Sequence, residues 1–187
     1  SRISYEHREI LLKNRPKSLY QISNKGTVPV LQLIDGTVID ESINVMKWCM
    51  KQNDLDNWFK DECLIQDVFI NKNDSEFKYW LDRYKYHIRY EENSFGEYQQ
   101  KVEVFFNEYN LILQKKSFLM GKKLGLVDIA LMPFVRQAAH VDIGWFDRNF
   151  PALSDWLEKL KKSALFLSIM KKHVIWDENS KGIIVKW

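Results

Sequence analysis

The spacing of apolar residues changes near residue 53. Before it, apolar positions alternate with polar ones or form short runs bounded by turn residues; after it, they recur every three or four positions. In the first stretch, Tyr5 to Leu12 interleaves apolar and charged residues and predicts a strand. Pro16 opens a predicted short helix over 16–22, with proline in its favoured first-turn position. Val30-Leu31-Gln32-Leu33-Ile34 reads as a strand, Asp35-Gly36 as a two-residue hairpin turn, and Thr37-Val38-Ile39 as the returning strand. Asp40 reads as the cap of a helix over 41–52, whose Ile43, Val45, Met46, Cys49 and Met50 are spaced for a buried stripe.

The second stretch predicts helices over 62–71, 76–86, 95–115, 126–140, 152–162 and 164–173. The clearest carries Tyr98, Val102, Phe105, Phe106, Tyr109 and Leu113 at helical spacing, and Asn149-Phe150-Pro151 separates two later elements. Residues 182–187 have strand propensity without an evident partner, and an unpaired sheet edge is one place they would fit. The expected fold class is α/β plus all-α: a β-α-β-β-α domain over 1–52, matching the second half of a thioredoxin-type sheet, then an all-helical domain over 53–187.

Composition narrows the functional classes. A net charge of +3, dispersed along 187 residues, does not mark a nucleic-acid binder, which gathers Lys and Arg on one face. No run of about 18 apolar residues predicts a membrane span. Two cysteines, Cys49 and Cys63, make no disulfide framework and fit a reducing, cytoplasmic setting. Cys49 lies on the apolar stripe of its helix, as a small hydrophobe does. His7, His87, His140 and His173 have no metal-ligand spacing, so no metal is expected.

Two short segments carry candidate chemistry. Val28-Pro29 is either an ordinary trans proline before a strand or a cis proline that turns the Val28 backbone outward to pair with an extended thiol peptide. Asp40-Glu41-Ser42 is either a plain acidic helix start or a site for an amino-acid end. In the second reading the free N–H groups and the Ser42 hydroxyl take a carboxylate, and Glu41 takes an ammonium.

Together these segments resemble the glutathione transferase family. Asn24-Lys25-Gly26-Thr27-Val28-Pro29-Val30-Leu31 followed by Glu41-Ser42 is similar to the family's N-P-x-G-x-V-P-x-L and E-S signatures, without the proline after the asparagine. Leu12-Lys13-Asn14-Arg15-Pro16 resembles the L-K-N-K-P of omega-like members. Gly125-Leu126-Val127-Asp128 looks like the family's capping-box helix start, with glycine at the usual Ser or Thr position; Phe150-Pro151-Ala152-Leu153-Ser154-Asp155-Trp156 resembles its F-P-x-L-x-x-W segment.

The resemblance implies glutathione as co-substrate, held by Lys13, Val28, Pro29, Glu41 and Ser42, and a small electrophile or a disulfide as the second partner. It also implies a homodimer, and a structural role for Asp128. Compared with the family, the chain opens at the second strand, so the catalytic residue is expected upstream of Ser1. The omega-like motif favours thiol–disulfide exchange; the alternatives are a non-catalytic transferase-like interaction module or a fragment lacking the catalytic residue.

Overall fold

The computed structural model describes residues 1–60 and 63–186. The chain forms two compact units, residues 1–59 with 171–187 and residues 60–170. These units add two features to the division expected at 52/53. The link to residue 59 stays with the first unit, where the Asp54 carboxylate accepts from the backbone N–H groups of Trp58 and Phe59. The C-terminal tail also returns to the first unit.

In the first unit, β1 (Tyr5–His7) is followed by α1 (Lys17–Ile22), β2 (Val30–Gln32), β3 (Val38–Asp40) and α2 (Ser42–Gln52). The strand expected over 5–12 is shorter: it ends at His7, and a turn closed by Asn14 N–H on the Leu11 carbonyl follows. β2 and β3 pair antiparallel, Val30 opposite Asp40 and Gln32 opposite Val38. The pairing continues to Leu33 and Thr37, so the connection is the three residues Ile34, Asp35 and Gly36 rather than the expected two. Gly36, at φ 87, supplies the left-handed residue such a loop needs, and Asp35 Oδ1 accepts from Thr37 N–H at 2.9 Å.

The tail strand β4 (Ile183–Val185) pairs antiparallel with β1, Tyr5 opposite Val185 and His7 opposite Ile183. Further along, Trp176 N–H donates to the Glu9 carbonyl at 2.8 Å, and the Arg8 guanidinium lies 4.6 Å from the Trp176 ring centre. The strand propensity of the tail thus has a partner; its last residue, Trp187, lies outside the described residues. β1–β4 and β2–β3 form separate two-stranded sheets.

The second unit is helical: α3 (Leu64–Lys72), α4 (Lys78–Lys85), α5 (Phe95–Leu113), α6 (Leu126–Ala139), α7 (Ile143–Asn149), α8 (Pro151–Lys161) and α9 (Ala164–Ile169). The expected start of α3 at Glu62 lies outside the described residues. The break expected between α3 and α4 is instead one π-helical turn, Asn73–Phe77, that joins them. Gln66, Ile70, Asn73, Phe77, Leu81 and Tyr84 then share one buried face. Phe77, fully buried, meets the rings of Phe105, Phe106 and Tyr109 at 5.1, 6.0 and 6.3 Å.

Ser94 and Glu97 close a reciprocal capping box at the start of α5. α8 opens on Pro151, and its Leu153 N–H finds its acceptor in buried Asn110 of α5, at 3.1 Å. α7 had no apolar repeat to announce it; Asp142 caps it, accepting from Trp145 N–H at 2.9 Å. α9 stops at Ile169 rather than reaching His173, because the chain turns away to join the first unit. No described helix is long and apolar enough to cross a membrane.

Candidate functional site

The hairpin gathers the chemistry of the first unit. Because Val30 pairs with Asp40, residues 28–29 and 41–42 arrive at the same end of the β2–β3 ladder. The approach to that end is set by Gly26, at φ 59, whose N–H donates to the Ser23 carbonyl at 3.0 Å. A Cβ on Gly26 would lie 2.4 Å from Tyr20 Cε1, so glycine is required there on two counts. The Val28–Pro29 bond is cis. Val28 is half exposed, and no described residue engages its backbone N–H or carbonyl.

Across from it stands the start of α2. Asp40 ends β3 and does not cap the helix as expected; Glu41 is the N-cap, at φ 63, and no side chain caps the first turn. The first N–H groups of α2 are therefore free for a ligand, as at any uncapped N-terminus. The Ser42 hydroxyl has no partner among the described residues. Lys25 reaches over from the preceding turn, its Nζ 3.1 Å from Glu41 Oε1 and 3.2 Å from Asp40 Oδ2. The Glu41 and Asp40 carboxylates hold the Lys25 ammonium above its usual pKa. Sequence reasoning included Lys25 in a motif without giving it a role, since no linear spacing announces a contact across sixteen residues.

Lys13 is placed differently. It is exposed in the turn between Leu11 and Asn14, and no hydrogen bond or ion pair among the described residues ties it to the hairpin end. Cys49 is partly buried on α2, and that burial pushes its thiol pKa up, away from a reactive thiolate. No described group of His, Cys, Asp and Glu is arranged to hold a metal ion.

The second unit carries its own fixed centre. Asp128, fully buried, accepts from Leu119 N–H and Trp156 Nε1–H through Oδ1, both at 2.9 Å, and from Gly125 N–H through Oδ2 at 3.1 Å. Gly125 has no side chain to return the bond, so this is one half of a capping box. Burial pushes the Asp128 carboxyl above its ordinary pKa, against those three donors. Both of its oxygens are engaged by structural donors, and the residue is fully buried, which fits a structural role. Elsewhere in this unit a cavity of about 440 Å³ opens beside Lys85, Arg136, Gln137, His140 and Val141.

In the first unit a cis Val28–Pro29 bond and an uncapped helix start share one end of the hairpin, and the helical unit is built on a buried aspartate. The glutathione S-transferase N-terminal domain model matches residues 1–52, and the C-terminal domain model of the same family matches residues 73–163. The chain belongs to the glutathione S-transferase family.

Solved structures share the fold. A Gtt2-class glutathione S-transferase of Vibrio parahaemolyticus is 23% identical, over 83% of this chain and 78% of that one, with a TM-score of 0.66. The glutathione transferase URE2P6 of Phanerochaete chrysosporium, solved in complex with oxidized glutathione, is 17% identical over 82% and 76%, with a TM-score of 0.71. A glutathione S-transferase of Xanthobacter autotrophicus is 17% identical over 80% and 75%, with a TM-score of 0.64. No curated protein matches the chain.

Proposed function

We propose that this transferase-like protein binds glutathione at the end of the β2–β3 hairpin and presents its thiol to an electrophile or a disulfide. The observation that carries the reading is the register of Val30 with Asp40, since it is what gathers residues 28–29 and 41–42. In this reading the unpaired N–H and carbonyl of Val28 bond the tripeptide backbone as an added strand would. The α-carboxylate of the γ-glutamyl group sits on the free N–H groups of α2 and the Ser42 hydroxyl. Its ammonium faces Glu41. Lys13 is assigned to the same ligand only through its omega-like motif, which also favours thiol–disulfide exchange over conjugation. The protein acts in the cytoplasm as a homodimer in this reading, and none of the five site residues supplies the group that activates the thiol.

The test is retention on immobilised glutathione followed by calorimetry. Glu41→Ala and Ser42→Ala are each expected to weaken glutathione binding by about 1–3 kcal/mol, the loss of a charge-assisted hydrogen bond. A folded protein that passes through the column unretained refutes the reading and favours an interaction module.

A further inference from the structure

The proposed glutathione site holds a cation of its own. Lys25 Nζ contacts both Glu41 and Asp40, at 3.1 and 3.2 Å. The three side chains are 59%, 51% and 37% exposed, so neither bond is strong and the ammonium exchanges partners readily. Two adjacent acids at the β3–α2 junction, bridged by one lysine, form a three-membered charge relay at the mouth of the site.

The ligand's ammonium has to enter that relay. A carboxylate offers several lone-pair positions, so Glu41 has room for a second donor. Two ammonium groups on one carboxylate repel each other, however, and Lys25, like any exposed lysine, is charged at neutral pH. Asp40 resolves the conflict by offering Lys25 a second acceptor within reach.

Resting on the glutathione reading above, we propose that Lys25 is a positioning residue that shields Glu41 before binding and passes to Asp40 as the ligand's ammonium arrives. Lys25 then sets how strongly the site selects a ligand with a free α-ammonium group. An N-acylated glutathione, which carries no such ammonium, leaves Lys25 on Glu41 and displaces nothing.

The experiment is calorimetric titration of the full chain and of Lys25→Met, Asp40→Asn and the double variant, each with glutathione and with N-acetylglutathione. Lys25→Met is expected to tighten glutathione binding about two- to five-fold at low ionic strength, the range of an exposed ion pair. The gain should shrink at about 0.5 M salt and be absent for N-acetylglutathione. Asp40→Asn should weaken glutathione binding by a similar factor when Lys25 is present and have no effect in the Lys25→Met background.

An unchanged or weakened affinity in Lys25→Met overturns the proposal. So does an Asp40→Asn effect that is equal in both backgrounds, which would mean that Asp40 acts on the ligand directly. If glutathione binds and responds to Glu41→Ala but not to Lys25→Met, only the role of Lys25 falls. If the unmodified chain does not bind glutathione at all, the site reading falls and takes this proposal with it.

Discussion

Removing the Asp128 carboxylate should unseat the helical unit, and the size of the effect can be worked from its bonds. Asp128→Ala leaves three donors without an acceptor. Leu119 and Trp156 are 1% and 3% exposed, so their N–H groups cannot turn to water. Gly125 is partly exposed and loses less. At about 1–3 kcal/mol for each buried orphan donor, the two buried ones cost about 2–6 kcal/mol. Relief of the carboxylate's own desolvation offsets part of this, so a net loss of about 3 kcal/mol is expected, a large share of the roughly 5–15 kcal/mol that holds a typical domain folded.

Asp128→Asn should be milder. An amide that keeps its oxygen toward Leu119 and Trp156 retains both buried bonds and sets its NH2 against Gly125 N–H alone, a cost of about 1 kcal/mol. Urea denaturation at pH 7 followed by circular dichroism measures both variants, with near-ultraviolet ellipticity reporting on Trp156. An Ala variant within about 1 kcal/mol of the parent, or an Asn variant as damaged as the Ala variant, refutes the assignment of three structural bonds to this carboxylate.

The same carboxyl predicts a pH dependence. Burial raises its folded-state pKa, so the folded protein keeps the proton to higher pH than the unfolded chain does. Stability from this group is full below the unfolded carboxyl value of about 3.9 and falls as pH rises toward the raised value. The cost of Asp128→Asn should therefore be larger near pH 4 than near pH 6.5, as denaturation at the two pH values will show. Gly26→Ala should destabilise the first unit by about 1–2 kcal/mol through its left-handed φ, with a further steric part from Tyr20. Combining it with Tyr20→Ala should remove the steric part and leave the backbone part. Cys49 should react with iodoacetamide at pH 8 more slowly than free cysteine does, and unfolding in urea should abolish the difference; equal rates in the native chain would contradict the raised thiol pKa.

The sequence by itself determined the elements whose signals are local. The apolar spacing of Tyr98, Val102, Phe105, Phe106 and Tyr109, with the Ser94–Glu97 cap, announces α5 because a helix repeats every 3.6 residues and a cap satisfies donors three residues away. Asp35-Gly36 announces a hairpin because the turn itself needs those residue types, and the order of motifs along the chain was enough to name the family.

Tertiary structure decided whatever depends on groups far apart in the chain. The ladder register set the loop at three residues and brought Val28 to the start of α2. Packing of Phe77 against α5 kept α3 and α4 on one face through a π turn, where the polar run Asn73-Asp74-Ser75 suggested a break. Asn110 serves Leu153 across 43 residues, and Gly182 N–H reaches Glu6 across 176. Lys25 gained its two acids in the same way. A donor and an acceptor separated by many residues meet only after the chain has folded between them, and a single sequence carries no periodic trace of such a meeting.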